Sequence, residues 1–363
     1  MRNATLGVKS ASAGRPGFTL IELLVVVSII TLLISILLPQ MSAARRVAQR
    51  VYCASNIRAV FQGVSTYANA NDDAIIGSPN TSGVYLRPAE MLKRGWTATV
   101  FGGPATGRWD FMGPLALDAG MREVLTEDVA ARFDIIRRMK IFQCASNQFL
   151  ASFFSGGGGV NAGTGPMVAM NMSRNFLFLG RPTPDAPDAG MDFYPTAGST
   201  GSTFSEILPA SYSPRLSLVG DAANKVAVAD GSRFSTVTQE PDYDVSATSN
   251  YGGAFADVAP YSKLSRSWDR SAAPGNEPVP PGTTDARQYA YRHSRSPSPS
   301  PGSPADVFVG NFGFFDGHVD SLGDLQSSNP FMWLPAQSKL QNAANRQNDV
   351  NAIYGGITLN VNS

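Results

Sequence analysis

An α+β fold is predicted for this chain, with a long N-terminal helix packed against a globular head rich in antiparallel β structure. Three observations carry that expectation. Residues 18–38 form a run of 21 residues containing one charge, Glu22. Apolar residues then recur at spacings of three and four across 44–68, the signature of one helical face. Beyond residue 70, Gly, Pro, Ser, Asn and aromatic residues dominate, and short apolar runs alternate with turn signals, as in strands. A sheet laid on a helix buries the apolar face of each.

The first run is long enough to cross a membrane, since about 20 apolar residues span the hydrocarbon core as a helix. A short basic leader precedes it, with Arg2, Lys9 and Arg15, and ends in Pro16-Gly17. A secretory signal has a shorter apolar centre and a small-residue cleavage site after it. Here the small residue, Gly17, comes first, so cutting there leaves the hydrophobic segment attached. The positive-inside count does not orient the segment, because three leader charges face Arg45, Arg46 and Arg50 on the far flank. The brevity of the leader favours a cytoplasmic N-terminus.

The string Gly17-Phe18-Thr19-Leu20-Ile21-Glu22-Leu23-Leu24 resembles the N-terminus of the type IV pilin and type II secretion pseudopilin superfamily. That resemblance implies cleavage between Gly17 and Phe18 by a membrane-embedded prepilin peptidase, which then methylates the Phe18 amine. Glu22 becomes the fifth mature residue and Pro39 the twenty-second, where the family has a Glu and often a helix-loosening Pro. The implied partners are the peptidase, other pilin or pseudopilin subunits in homo- or hetero-assembly, and the inner membrane. The implied location is a single pass of the inner membrane, N-terminus cytoplasmic and head periplasmic or at the cell surface. A carboxylate on a spanning helix is costly and usually has a partner and a function. The Phe18 amine of a neighbouring subunit is one such partner for Glu22; simple solvation at headgroup depth is the other reading.

The chain is thus divided into a prepilin leader (1–17), a transmembrane helix (18–38), an amphipathic continuation of the rod (39–70) and an α+β head (71–363). The continuation carries Ala44, Val47, Val51, Ala54, Ile57, Phe61, Val64 and Ala68 on one stripe. Read without a break, residues 18–70 form a rod of roughly 80 Å at 1.5 Å per residue, loosened at Pro39 by its missing N–H. The head is expected to cover the later part of the stripe, including Val51, Phe61 and Val64. Within the head, strands are expected at 97–101, 140–143, 167–170, 175–179, 216–219, 225–229, 307–315 and 357–360, and helices at 89–94 and 124–139. Residues 156–159 read as a flexible loop. Pro-rich stretches at 181–195 and 274–304 read as surface insertions, the Ser-Pro run at 296–301 among them.

The clearest hairpin signal is the segment 312–320, with Asp316-Gly317 at its turn, because Gly accepts positive φ and Asp tolerates it. It is similar to a bacterial subgroup of pilin-like proteins in which a His precedes a Phe-x-Asp-Gly-His-Val ending. The matching residues are Arg292-His293 and Phe314-Phe315-Asp316-Gly317-His318-Val319, with 22 residues between His293 and Asp316. The same subgroup has a Cys-x-x-Asn late in the rod, matched by Cys53-Ala-Ser-Asn56. Its Phe-x-Cys-Pro in the head is matched by Phe142-Gln-Cys144, followed here by Ala145.

The two cysteines, Cys53 and Cys144, either form one bridge stapling rod to head or remain two buried thiols. The net charge is +1; without the leader, 26 basic residues stand against 28 acidic ones. That balance argues against nucleic acid as a partner, since phosphate binding needs a basic surface. No cofactor motif is read: the Gly-rich stretch 156–159 lacks the strand and helix that a dinucleotide loop needs. The chain has two histidines, no Gly-x-Ser-x-Gly elbow and no Gly-Lys-Ser/Thr phosphate loop, so no enzyme is expected. Asp316, Asp320 and Asp324 are the nearest acidic cluster to a calcium site, without calcium-loop spacing. The expected function is that of a pseudopilin-like structural subunit of a type II secretion-like system. The alternative is a type IV pilin or minor pilin whose head binds a surface ligand.

Overall fold

The computed structural model describes residues 18–77, 110–125, 129–147, 150–154, 165–166, 168–180, 206–231, 242–244, 256–257, 259–261, 291–295, 308–341, 348–354 and 358–361. The expected elements at 89–94 and 97–101, the Gly-rich loop at 156–159, the stretch 181–195 and the Ser-Pro run lie outside them. The chain divides into two compact units, Met1–Val47 and Ala48–Ser363.

The helix α1 runs Leu20–Ala70 and includes Pro39. In the first unit, every large apolar side chain from Phe18 onward is exposed. This is the one described helix long and apolar enough to cross a membrane. Its three hydroxyl residues between 23 and 38 all donate to their own helix. Ser28 bonds the Val25 carbonyl, Thr31 that of Val27 and Ser35 that of Leu32, at 2.7–2.8 Å. The segment therefore turns no unpaired side-chain donor outward, as a hydrocarbon surrounding requires, and the Glu22 carboxylate at its first turn is its one charged acceptor.

In the second unit α1 buries Cys53, Ile57, Val60, Phe61, Val64 and Ala68. Ile57, Phe61, Val64 and Ala68 belong to the expected stripe, but Val51 does not share their burial and is 62% exposed. Ala44 and Val47 are exposed too. The reason is geometric. Steps of three outnumber steps of four along the stripe, so it winds about 120° around a helix of 3.6 residues per turn. Its early members point away from the face that Cys53 and Ile57 begin.

The strands in chain order are β1 (Leu150–Phe154), β2 (Gly165–Pro166), β3 (Met170–Ser173), β4 (Glu206–Ile207), β5 (Val226–Asp230) and β6 (Asp242–Asp244). They continue with β7 (Ala256–Asp257), β8 (Ser294–Arg295), β9 (Phe308–Phe314), β10 (Val319–Gly323), β11 (Lys339–Leu340) and β12 (Leu359–Asn360). The largest sheet has the order β10-β9-β5-β3-β7, with β8 also on β9. Its pairings are antiparallel except β3 with β7. With α1 this makes a mixed helix-and-sheet α+β fold. Because β10 pairs along β9 from Val309 to Gly313, β5 and β8 must share the other edge. Asn311 marks the changeover between them.

Strands β5 and β9 fall where the apolar runs at 225–229 and 307–315 placed them. Three other runs do not form strands: Lys140–Phe142, Arg174–Leu177 and Leu216–Leu218 are 3₁₀ turns. Runs this short bury their side chains equally well from a tight turn, and alternation cannot separate the cases. The run at 167–170 yields a strand starting only at Met170, and 357–360 yields Leu359–Asn360. The expected helix at 124–139 is a 3₁₀ turn Arg122–Leu125 followed by the α-helix Val129–Arg138. The reading of 274–304 as one surface insertion is corrected at 291–295. There Tyr291 and His293 are buried and β8 adds to β9, because aromatic and imidazole rings supply apolar area that the flanking Ser-Pro residues lack.

Candidate functional site

Gly17 lies outside the described residues, and Phe18, which follows it, is 74% exposed. Thr19 and Glu22 form a capping box at the mouth of α1. The Glu22 carboxylate accepts from the Thr19 N–H and from its hydroxyl, both at 2.8 Å, and the Glu22 N–H donates to Thr19 Oγ1 at 3.3 Å. Two otherwise orphaned donors are satisfied reciprocally. Thr-x-x-Glu ahead of an apolar run is the sequence signal for such a box, and the motif-based reading passed over it. Both accepted bonds use Glu22 Oε2; Oε1 makes no hydrogen bond among the described residues. At Pro39 the carbonyl accepts from the Ser42 hydroxyl at 2.8 Å.

The head motifs meet on the later half of α1. Cys53 and Cys144 are joined in a disulfide with Cα atoms 5.0 Å apart. It closes 91 residues of sequence, worth about 4–5 kcal/mol in the chain-entropy picture. One turn along, the Asn56 amide donates to the carbonyls of Lys140 and Gln143 at 3.0 and 2.9 Å. Gln49 donates to the Ala145 carbonyl at 3.3 Å. Cys-x-x-Asn on the helix and Phe-x-Cys in the head therefore form one clamp, with Asn56 holding the backbone that presents Cys144.

His293 joins the clamp from the start of β8, with its N–H on the Val309 carbonyl at 3.0 Å. Its Nε2 lies 2.8 Å from Asp230 Oδ2 and 3.8 Å from Cys144 Sγ, and its Nδ1 is 3.5 Å from Ser146 Oγ. Asp230 Oδ2 also accepts the Asn311 N–H at 2.8 Å. That N–H lies where β9 passes from β5 to β8, so the carboxylate satisfies a donor that neither strand takes. The contact continues to α1: Ser321 Oγ donates to Asn311 Oδ1 at 2.7 Å, and Arg50 Nε donates to Ser321 Oγ at 2.8 Å. Arg50 is thus used inside the head. Asp230 carried no sequence signal, being one acid at the end of a valine-alanine run 63 residues before its partner.

His293 does not reach the Asp316-Gly317 turn. That turn packs on α1 by itself: Gly317 has φ +93° and lies against Phe61, while Phe61 meets Phe315 edge-on with centroids 6.3 Å apart. Gly313, on β9, leaves no room for a side chain, since a Cβ there would come within 2.6 Å of Ile57 Cγ2. Within the turn, Asp316 accepts from the His318 N–H at 3.0 Å, and its Oδ1 lies 2.6 Å from His318 Nδ1. Burial pushes the Asp316 carboxyl up, but the His318 bonds together outweigh it and hold it below the usual range. Asp320 lies 3.7 Å from the other ring nitrogen, and Asp324 is buried beyond β10. Asp316, Asp320 and Asp324 do not converge as metal donors. Among the described residues one group of metal-type donors does, formed by Cys53, Cys144 and His293. The turn itself brings Asp316 to the His318 ring, the two-residue step into β10 brings Asp320 to the ring's other side, and no spacing brought Asp324 to them.

Residues 13–38 match the family model described as the prokaryotic N-terminal methylation motif. This supports kinship with the pilin and pseudopilin precursors, which the exposed apolar helix fits. No curated protein matches the chain, and no solved structure does.

Proposed function

We propose that this chain is a pseudopilin-like structural subunit of a type II secretion-like system, cut between Gly17 and Phe18, N-methylated on Phe18 and assembled through α1. The observation that carries the reading is the methylation motif at residues 13–38. The capping box adds a physical argument. Its donor N–H belongs to Thr19, so cleavage at Gly17 leaves the box intact and Glu22 fixed in place. Oε1 then stays available to the Phe18 amine of an adjacent subunit, at a helix N-terminus where the dipole already favours negative charge. The peptidase and other subunits of the same kind are the partners, with the N-terminus cytoplasmic and the head beyond the inner membrane. The role is structural and not catalytic.

A second reading, a minor pilin with a ligand-binding head, is favoured by size: residues 71–363 far outweigh the rod and would crowd neighbours in a tightly repeating filament. The subgroup motif at His293 and Asp316–Val319 is compatible with both readings. Dependence of the assembled state on a secretion ATPase or on a retraction ATPase separates them.

Processing is tested by mass spectrometry of the chain from membranes with an active prepilin peptidase. The expected N-terminus is N-methyl-Phe18, and Gly17→Ala is expected to abolish most processing. An intact leader in the wild-type chain would overturn the proposal.

A further inference from the structure

Cys53, Cys144 and His293 place one sulfur, a second sulfur and a ring nitrogen within 4.8 Å of one another, all buried. Asp230 stands beside this group, 2.8 Å from His293 Nε2 and fully buried, so that its carboxylate has only to turn inward to become a fourth donor. One of its oxygens serves His293 and the Asn311 N–H; the other, Oδ1, has no partner among the described residues. A buried carboxylate oxygen without a partner is costly. The closed bridge gives it nothing to bind.

We propose that Cys53, Cys144, His293 and Asp230 form a zinc site in the state where the bridge is open. A dithiol opens the bridge by donating two electrons and two protons, itself closing to a disulfide, and leaves two thiols. Zn²⁺ then takes Cys53 Sγ, Cys144 Sγ, His293 Nε2 and Asp230 Oδ1; both thiol protons pass to solvent, and the imidazole proton shared with Asp230 moves from Nε2 to Nδ1, facing Ser146 Oγ. Zinc prefers four such ligands in a tetrahedron, with Zn–S about 2.3 Å and Zn–N about 2.0 Å. Those lengths set a sulfur-to-nitrogen edge of about 3.5 Å, close to the 3.8 Å between Cys144 Sγ and His293 Nε2. The two sulfurs need only part to about 3.8 Å. Thiolate and imidazole donors select zinc over calcium or magnesium, which take oxygen.

The surroundings suit a closed structural site. Ser146 Oγ stands 3.5 Å from His293 Nδ1, where an outer partner fixes the ring of a metal-bound histidine. The Asp230 oxygen not given to zinc keeps the Asn311 N–H. The same tie between α1 and the Cys144 segment thus has two chemical forms, a disulfide under oxidising conditions and a metal link under reducing ones.

The test uses the full chain in detergent, opened with a phosphine, which takes oxygen from water to become the phosphine oxide and does not compete strongly for metal. The reduced chain is expected to bind one Zn²⁺, and the oxidised chain none. Co²⁺ in its place should show thiolate charge-transfer and tetrahedral d–d bands, lost in His293→Gln. Ser146→Ala should weaken zinc binding by about 10-fold. Zinc should also protect Cys53 and Cys144 of the reduced wild type from alkylation, a measurement that needs no variant to fold. No zinc uptake by the reduced chain, uptake that survives Cys53→Ser with Cys144→Ser, or an octahedral cobalt spectrum would overturn the site. A reduced chain that unfolds and does not refold on adding zinc overturns it equally.

Discussion

Lys225 is almost wholly buried, and its ammonium donates to the Phe331 carbonyl at 2.8 Å. Burial lowers its pKa to about 8, while Asp221 works in the opposite direction. Below pH 8 both folded and unfolded chains hold the proton. Between there and the ordinary lysine value of 10.5 the unfolded chain holds it more tightly, so stability rises with pH across that window. Tyr212 acts in reverse: burial raises its phenol well above 10.0, so above that pH the folded state keeps a proton the unfolded state loses, and stability falls. The urea midpoint of the detergent-solubilised chain is expected to climb from pH 8 towards 10, and Lys225→Met to flatten the climb. A flat wild-type profile would mean that Lys225 is hydrated. Gly313 tests packing in the same way. Gly313→Ala drives a methyl into Ile57 and should cost about 1–3 kcal/mol, less in an Ile57→Ala background if that contact is the cause.

α1 and the β9–β10 hairpin were legible because each repeats one local rule over many residues. The apolar run, the three-and-four spacing and the Asp-Gly turn need no distant partner to be recognised. The 3₁₀ turns at 140–142, 174–177 and 216–218 were not legible, since their conformation is set by what packs over them. The site divides along the same line. Cys53, Asn56, Cys144 and His293 were each visible as motif residues, whereas Asp230, the partner of His293, is defined only by the changeover of strand partners at Asn311. Val51 shows how a periodicity can mislead: it obeys the spacing and still faces outward. Pro39 is the local break that spacing does mark. It removes one backbone donor inside α1, leaving the carbonyl one turn earlier short of a partner. Pro39→Ala is expected to slow amide exchange across residues 35–43 and to strengthen the helix by up to about 3 kcal/mol. Unchanged exchange there would show that the proline loosens nothing.

The apolar surface of residues 18–38 and the buried core of Ala48–Ser363 place opposite demands on one chain. The core is satisfied by its own sheet, its clamp and the later half of α1. The exposed leucines, isoleucines and valines upstream have no cover among the described residues, and about 20 such residues in a helix match a bilayer. Three hydroxyls folded back on the backbone complete an apolar surface that Glu22 alone interrupts. A charge kept there works against insertion, so its retention needs a gain elsewhere, and the proposed gain is the pairing of Oε1 with a neighbour's Phe18 amine. Glu22→Val separates the two effects. The helix becomes more apolar, so the variant should remain in the membrane fraction through alkaline carbonate extraction. It also loses the capping box, a local cost of about 1 kcal/mol, which Glu22→Gln largely spares because Gln can also close the box. If capping alone mattered, Glu22→Gln would assemble as the wild type does. If the charge pairs with the amine, Glu22→Gln and Glu22→Val should both fail to cross-link into multimers while staying inserted. Multimers formed equally by Glu22→Gln and wild type would assign Glu22 to the helix end and not to assembly.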